Sequence, residues 1–374
     1  MPDPVTCGRQ STQGIPCHGQ NGLCSHKNNE HILPQKRIGE LVTSESKSDD
    51  AGREGGTDSG DLCQLVERTH GITVVAARSL GGELDTNVWI RDSQDREYTI
   101  KRSTCGDPQE IRWQYLVLEH LNKRLAGIQV PTLVPTLEGD WDVVCGHGST
   151  WVVVRLANWV PGRVVASHHQ PPPRLLREWG LLAANTVLAL SDFDPGSVPS
   201  THYWDLRDSL VAVESCLEFV EDRENRLAVE RLMEGSDAVI EKFEQLPQQV
   251  IHQDLNDFNV LISEVSTEAR VTGLLDVGDT LFAPRLSELI VASAYAMLRQ
   301  PQPLSAVDRV IDGYAEILPL PDAEYDIVRQ LSGLRLCVNA TTWTKRASLE
   351  GTMYGQRRMA ETWPTIRALA KAIG

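Results

Sequence analysis

The sequence lacks an excess of positive charge. Its 374 residues contain 36 Lys and Arg against 51 Asp and Glu, a net charge of −15. Binding nucleic acid through phosphate neutralisation needs a concentrated basic face. The balance therefore argues against a nucleic-acid partner and against adhesion to anionic lipid, and it is compatible with a cationic small substrate.

Long apolar runs are also missing. The richest apolar stretch, 151–165, is interrupted by Arg155, Pro161 and Arg163, and a membrane-spanning helix needs about 18 apolar residues in a row. The N-terminus has no basic start followed by an apolar core. The eight cysteines are scattered, as expected of reduced thiols. We expect a cytoplasmic monomer or homodimer with no membrane partner.

Residues 1–60 contain few branched apolar side chains and are rich in Gly, Ser, Asn, Gln and Asp. Such a composition buries too little surface to offset its ordering entropy, so we predict a disordered or loosely attached extension. The segment contains several potential metal ligands: Cys7, Cys17, His18, Cys24, His26 and His31. Their spacing lacks the paired cysteines of structural zinc sites and argues against zinc.

From residue 61 the pattern predicts an α+β protein. A short helix, three strands near 72–80, 86–91 and 97–102, a helix over 108–125 and two more strands form a small β-rich lobe over 61–157. Residues 158–374 are predicted to be mostly helical, interrupted by a strand pair at 260–262 and 273–275. The expected architecture is bilobal and protein-kinase-like, with a small N-terminal and a larger helical C-terminal lobe.

The chemistry-bearing segment is 250–280. His252, Asp254 and Asn259 give the pattern H-x-D-x-x-x-x-N, and Asp276 begins D-x-G-D seventeen residues after Asn259. Phosphoryl transfer needs a carboxylate near the acceptor hydroxyl, oxygen ligands for Mg²⁺ and a cation on the phosphates. Asp254 can supply the first, and Asn259 with Asp276 the second. The two coupled motifs predict a phosphotransferase.

Other roles remain open within this segment. Asp254 and Asn256 could form only a turn, because Asp and Asn do so commonly. His252 could order the loop through hydrogen bonds or take part in chemistry. Asp279 could be a second metal ligand or a helix-capping carboxylate.

Lys101 lies on the third predicted strand, between a Gly-Gly turn and a long helix, where a kinase needs its phosphate-binding lysine. Gly81 and Gly82 would begin the loop over the phosphates, with Asn87 close behind. A glutamate on the following helix is expected to pair with Lys101; Glu110 and Glu119 both lie there, and Glu110 is the first candidate.

The sequence resembles the aminoglycoside phosphotransferase and choline kinase superfamily, in particular its hydroxylysine kinase-like branch. The likeness is carried by segments that span about 61–370: 84–87, 98–101, 154–162, 203–206, 251–261 and 273–279. It implies Mg²⁺ and ATP or GTP as phosphate donor, with a hydroxyl-bearing small molecule as acceptor. It also implies roles for individual residues: Asp254 as base, Asn259 and Asp276 as Mg²⁺ ligands, Lys101 as phosphate anchor, Leu156 and Asn158 on the purine, and Trp204 and Asp205 on the acceptor.

Departures from the family pattern leave these groups in place. Gln253 stands where the catalytic loop usually has Gly, and Val277 replaces the usual Phe or Trp of the metal motif.

Three functions of different classes follow. The first is a small-molecule O-kinase acting on a hydroxy amino acid such as hydroxylysine, or on an antibiotic hydroxyl, which would confer resistance. The second is a protein kinase, which the short distance from Asp279 to the next predicted helix disfavours. The third is a catalytically weak kinase-fold binding or regulatory module, which would predict loss of key residues that are all present.

Overall fold

The computed structural model describes residues 57–82, 85–147, 150–194, 196, 198–263, 268–350 and 359–373. Residues 1–56 of the predicted extension lie outside these ranges, and all of its cysteines and histidines are among them. The helices are α1 (Thr57–His70), α2 (Trp113–Arg124), α3 (Pro173–Leu190), α4 (Ser209–Leu217), α5 (Arg223–Met233), α6 (Ser236–Glu244), α7 (Ser287–Ala296), α8 (Pro303–Ala315), α9 (Asp322–Glu350) and α10 (Thr362–Ile373). The strands are β1 (Val74–Gly81), β2 (Thr86–Asp92), β3 (Glu97–Cys105), β4 (Val143–His147), β5 (Thr150–Asn158), β6 (Arg163–Val164), β7 (Gln248–Ile251), β8 (Val260–Ile262), β9 (Val271–Leu274) and β10 (Leu281–Pro284).

The N-terminal part is a five-stranded antiparallel sheet in the order β1-β2-β3-β5-β4. Alternating apolar residues of its strands pack with helix α1 into a small core that includes Val66, Ile90, Ile100 and Leu156. Because alternate residues of a strand face opposite sides, Lys101 lies on the face of β3 turned away from this core. That face presents the lysine to the rest of the molecule.

The C-terminal part is a helical layer with its own, larger core. Helices α3, α7, α8 and α9 contribute buried apolar side chains such as Trp179, Leu289, Val310 and Leu334. Helix α2 lies between the sheet strands in sequence, but its Val117 packs into this larger core. The sheet and the helices together confirm the α+β class predicted from sequence.

Two small strand sets interrupt the helices and shape the site. Strands β6, β8 and β9 form one antiparallel sheet, and β7 pairs with β10 in another. The sequence predicted β8 and β9 but missed β6, β7 and β10, which have two, four and four residues.

The helical segment 223–245 is not one continuous helix. It is divided into α5 and α6 at Gly235, whose φ is +73°. A glycine adopts this left-handed conformation without the clash of a Cβ atom, so the chain turns there. Within the described ranges, no helix is both long enough and apolar enough to cross a bilayer.

Candidate active site

The loop between β7 and β8 holds the Asp254 carboxylate in a fixed orientation. Asn256 Nδ2 donates to Asp254 Oδ1 over 2.7 Å, and Asn259 Nδ2 donates to Oδ2 over 2.6 Å. Asn256 Oδ1 in turn accepts from the backbone N–H of Phe258 over 2.8 Å. The side chain of Asp254 remains 17% exposed. A carboxylate that is oriented by two amides and still reaches solvent can accept a proton from a bound molecule.

The buried His252 side chain orders this loop through hydrogen bonds to the backbone. Its ring is fully buried, and Nε2 donates to the carbonyl of Leu275 over 3.0 Å while Nδ1 accepts from the backbone N–H of Asp254 over 3.2 Å. Burial lowers the pKa of His252 to about 4, against the opposing effect of Asp276. The imidazole is therefore neutral near pH 7, and both nitrogens are engaged with the backbone, which favours the loop-ordering role.

The β8–β9 hairpin brings Asn259 and Asp276 to one end. Val260 pairs with Leu274, and Leu275 N–H donates to the Asn259 carbonyl over 2.8 Å. Asn259 precedes β8 and Asp276 follows β9, so antiparallel pairing places both at the same edge, beside Asp254. The arrangement predicted from the spacing of the two motifs is thus present in the structure.

Lys101 reaches this edge from the sheet. Its Nζ donates to Asp276 Oδ1 over 2.7 Å and lies 3.0 Å from Asp85 Oδ2. Partial burial alone would lower the pKa of Lys101, but Asp276 and Asp85 outweigh it and raise that pKa. Loss of solvent alone would raise the pKa of Asp276, whereas the Lys101 ammonium dominates and lowers it to about 2. Both groups are charged at neutral pH.

The acidic partner of Lys101 differs from the one predicted. Glu110 lies on a short 3₁₀ helix, Pro108–Ile111, and no hydrogen bond or ion pair joins it to Lys101 in the described part of the chain. Asp85 takes that place. The sequence contained a usable signal, because β2 and β3 pair Asn87 with Lys101, and Asp85 is only two residues before Asn87.

The glycine turn has the geometry of a close backbone loop. Gly81 has a φ of +77°, and Asn87 Nδ2 donates to its carbonyl over 3.0 Å. A Cβ atom on Gly82 would lie 2.0 Å from the carbonyl oxygen of Asp85, so a side chain cannot be added without moving the loop. Residues 83 and 84, which connect Gly82 to Asp85, are outside the described ranges.

Leu156 and Asn158, which the resemblance places on the purine, lie on β5 and bond to the segment before β4. The carbonyl of Leu156 accepts from Val134 N–H over 2.8 Å, and Asn158 N–H donates to the carbonyl of Thr132 over 3.0 Å. The side chain of Asn158 also bonds to Thr132 N–H. These bonds form because the segment before β4 lies along the end of β5.

Trp204 and Asp205, predicted to contact the acceptor, are both buried. Asp205 receives Arg207 Nε on both carboxylate oxygens, at 3.0 and 2.9 Å, and it also accepts from Arg207 N–H, which starts a 3₁₀ helix. Asp205 therefore forms a buried ion pair with Arg207. The Trp204 ring lies edge-on to Tyr203, with centroids 5.1 Å apart.

Asp279 lies near His202, with Oδ1 and Nε2 3.6 Å apart. Strand β10 follows it, and α7 begins only at Ser287. Asp279 is therefore too far from α7 in sequence to cap it, which removes one of the two roles considered above.

Glu288 on α7, which was not predicted as a site residue, supports the loop that contains Asp254. It is fully buried, and its carboxylate accepts from the backbone N–H of His252. Burial raises the pKa of Glu288 to about 8, although bonds from the N–H groups of His252 and Gln253 oppose the rise. One acidic residue within the otherwise apolar pattern of 286–298 was the available signal.

Replacing Glu288 by Gln is expected to flatten the pH dependence of stability. An ordinary glutamate has a pKa of 4.5, whereas that of Glu288 in the folded protein is about 8. The stabilisation that comes from this difference is complete below about pH 4.5 and is lost progressively as the pH rises to about 8. The free energy of unfolding of the wild type should thus decrease over this range, at up to about 1.4 kcal/mol per pH unit from this group. Urea unfolding at several pH values measures it. Glu241→Gln, at an exposed position on α6, is the control, and parallel curves for wild type and Glu288→Gln contradict the prediction.

The sheet that presents Lys101 and the helical part that presents Asp254, Asn259 and Asp276 define a kinase-like phosphotransferase. Comparison with family models agrees. The model described as the phosphotransferase enzyme family, APH, matches residues 76–330, more than half of the chain. The chain belongs to this family and is a phosphotransferase.

Similar proteins fall into two groups. Hydroxylysine kinase of Danio rerio is 25% identical over 290 residues, which are 74% of this chain and 80% of the relative, and hydroxylysine kinase of Mus musculus is 26% identical over 303 residues, 73% and 77%. Among solved structures, a microcompartment-associated aminopropanol kinase has a TM-score of 0.67 at 15% identity and covers 83% of this chain and 96% of its own. Spectinomycin phosphotransferase has a TM-score of 0.57 at 15% identity, with coverages of 85% and 99%. These structures share the fold, which confirms the predicted kinase-like architecture.

Proposed function

We propose that this phosphotransferase transfers the γ-phosphate of ATP or GTP to a hydroxyl group of a small molecule, with Asp254 as the base. The observation that carries the proposal is the orientation of the Asp254 carboxylate by Asn256 and Asn259, beside the Lys101–Asp276 ion pair. The acceptor hydroxyl would give its proton to Asp254 as its oxygen bonds to the γ-phosphorus, while the bond from that phosphorus to the β–γ bridging oxygen breaks and ADP or GDP leaves.

Asn259 and Asp276 suit a magnesium ion. They offer amide and carboxylate oxygens at one edge, and Mg²⁺ in phosphoryl-transfer sites is held by one or two such ligands together with substrate phosphates. When bound, the ion would neutralise charge on the phosphates. Lys101 would bind the same phosphates, below the loop that starts at Gly81.

The division into a nucleotide-binding lobe over 61–157 and a catalytic, acceptor-binding lobe over 158–374 is part of the proposal. It is supported by the separate small core of the sheet and α1, although α2, within the first range, packs into the larger core. A solved neighbour, amicoumacin kinase, was obtained in complex with AMP-PNP and Ca²⁺, which supports a nucleotide with a divalent cation here as well.

A hydroxy amino acid is the first candidate acceptor. The relatives named hydroxylysine kinase align with about three quarters of this chain at 25–26% identity, whereas the amicoumacin and spectinomycin kinases are 13% and 15% identical to it and do not favour an antibiotic as acceptor. Hydroxylysine carries ammonium groups at neutral pH, which suits a chain with a net charge of −15. An antibiotic hydroxyl is the second candidate.

The test is nucleotide consumption that depends on the acceptor. ATP and GTP are each supplied with Mg²⁺, and 5-hydroxylysine and other hydroxy amino acids are compared with lysine, spectinomycin and aminoglycosides. Turnover with hydroxylysine and none with lysine, its match without the hydroxyl, is expected. Turnover only with an antibiotic moves the acceptor to the second candidate. Equal turnover with lysine and hydroxylysine contradicts a hydroxyl acceptor.

A further inference from the structure

A buried arginine lies under the Asp254 carboxylate. Arg335 on α9 is 2% exposed, and its Nη2 is 4.0 Å from Asp254 Oδ1. Its guanidinium lies over the ring of Trp204, 4.8 Å from the centroid, and 6.0 Å from that of Tyr295. Its Nε has no hydrogen-bond partner within the described ranges. A buried charge with incomplete hydrogen bonding is costly to folding, so packing alone gives a poor account of this residue.

The Arg335 guanidinium is also hydrogen-bonded to Trp204, just before the 3₁₀ helix Leu206–Asp208. Arg335 Nη1 donates to the carbonyl of Trp204 over 3.1 Å, and Gln253 Nε2 donates to the same carbonyl over 2.9 Å. One backbone oxygen therefore joins α9, the Trp204 segment and the catalytic loop.

Through Gln253, the shared bond to the Trp204 carbonyl affects the backbone of the loop. It directly precedes Asp254 and has a φ of +70°, in the left-handed region that glycine adopts without strain. Glutamine at this position accepts the strain and gains a buried bond to Trp204, which glycine could not make. The departure from glycine noted in the sequence is thus coupled to Arg335 through a shared acceptor.

The Asp254 carboxylate has two kinds of neighbour: asparagines of its own loop and an arginine from the helical core. Asn256 and Asn259 belong to its own loop and bond to its two oxygens. Arg335 approaches Oδ1 from the helical core and brings a positive charge, but stays outside hydrogen-bonding distance. It can therefore hold the carboxylate electrostatically without blocking its exposed edge.

We propose that Arg335 is a positioning residue for the proposed base: together with Gln253 it fixes the catalytic loop on the Trp204 carbonyl and orients Asp254 toward the acceptor hydroxyl. This inference rests on the proposed function, in which Asp254 is the base. Arg335 acts through Asp254 and is too buried to bind substrate. A misplacement of a reacting group by about 1 Å can cost about 10²-fold in rate, so the effect belongs in kcat.

The test is a double-mutant cycle on the full chain, with 5-hydroxylysine or the best acceptor from the panel above. Arg335→Met is expected to lower kcat by about 10- to 100-fold, with the KM for nucleotide within about threefold of the wild type. Arg335→Lys, which keeps the charge but not the fork of donors, should recover part of the loss. In an Asp254→Asn background, Arg335→Met should add little, because the carboxylate it orients is gone.

Gln253→Gly separates positioning from folding. It removes the bond to Trp204 and relieves the left-handed backbone, so the protein should keep its melting temperature while kcat falls several-fold. This variant also carries the test if Arg335→Met does not fold. Unchanged kcat in Arg335→Met or in Gln253→Gly, or full additivity in the cycle, overturns the inference. Near-wild-type turnover of Asp254→Asn overturns the base assignment instead, so the two failures are distinguishable.

Discussion

Asp254→Ala is expected to lower kcat by about 10²- to 10⁴-fold, the range that a positioned general base contributes. Affinity for nucleotide should stay nearly unchanged, because the Lys101–Asp276 pair that faces the phosphates does not depend on this carboxylate. Steady-state kinetics give kcat, and calorimetric titration with AMP-PNP and Mg²⁺ gives the dissociation constant.

The matched control for this variant is Asp312→Ala. Asp312 is an exposed carboxylate on α8 whose ion pair is with Arg309, so kcat should remain that of the wild type. Turnover of Asp254→Ala within a few-fold of the wild type would show that another group accepts the proton.

Asp276→Ala is expected to weaken Mg²⁺-dependent nucleotide binding by at least about a hundredfold. Loss of a residue that only supports a metal ligand already costs about 10- to 100-fold in metal affinity, and Asp276 would be a direct ligand. The variant also removes one of the two carboxylates that pair with Lys101, leaving Asp85. Titration with AMP-PNP, once with Mg²⁺ and once with EDTA, separates the metal-dependent part of the affinity.

Asp95→Asn is the control for this titration. Asp95 lies in the exposed turn between β2 and β3 and pairs with Arg91, and asparagine tolerates its φ of +63°. Equal loss of affinity with Mg²⁺ and with EDTA in Asp276→Ala would contradict a role in metal binding.

The sequence predicted the centre of the site because its geometry is local. Asn259 and Asp276 flank two strands that pair directly, so their spacing and the apolar run between them were enough to place them together. Lys101 could be placed because it alternates with apolar residues on a strand that follows a Gly-Gly turn. In each case a short stretch of chain carries the information.

What the sequence did not reveal depends on contacts between distant segments. Asp85 replaced Glu110 as the partner of Lys101 because strand register and a turn decide which acid reaches it. The bonds of Leu156 and Asn158 to 132–134 come from a segment with no regular structure of its own to predict. Gln253 was noticed as a departure, but its partner, the carbonyl of Trp204, is 49 residues away.

Buried charges were the other missed group. Glu288 and Arg335 both lie on helices that the sequence predicted correctly in kind, within patterns dominated by apolar residues. Periodicity assigns such positions to the core and gives no reason for a charge there. The reason is visible only in the folded structure, where Glu288 accepts a hydrogen bond from His252 and the Arg335 guanidinium lies near Asp254.

Identification of the phosphorylated product tests the central claim most directly. Wild-type protein and Asp254→Ala are incubated with nucleotide, Mg²⁺ and 5-hydroxylysine, and the products are analysed by mass spectrometry and phosphorus NMR. The account predicts a phosphate ester on the hydroxyl oxygen, formed in step with nucleotide consumption and strongly reduced in the variant. Phosphate on an amine nitrogen, or nucleotide hydrolysis with no phosphorylated acceptor from any member of the panel, would contradict it.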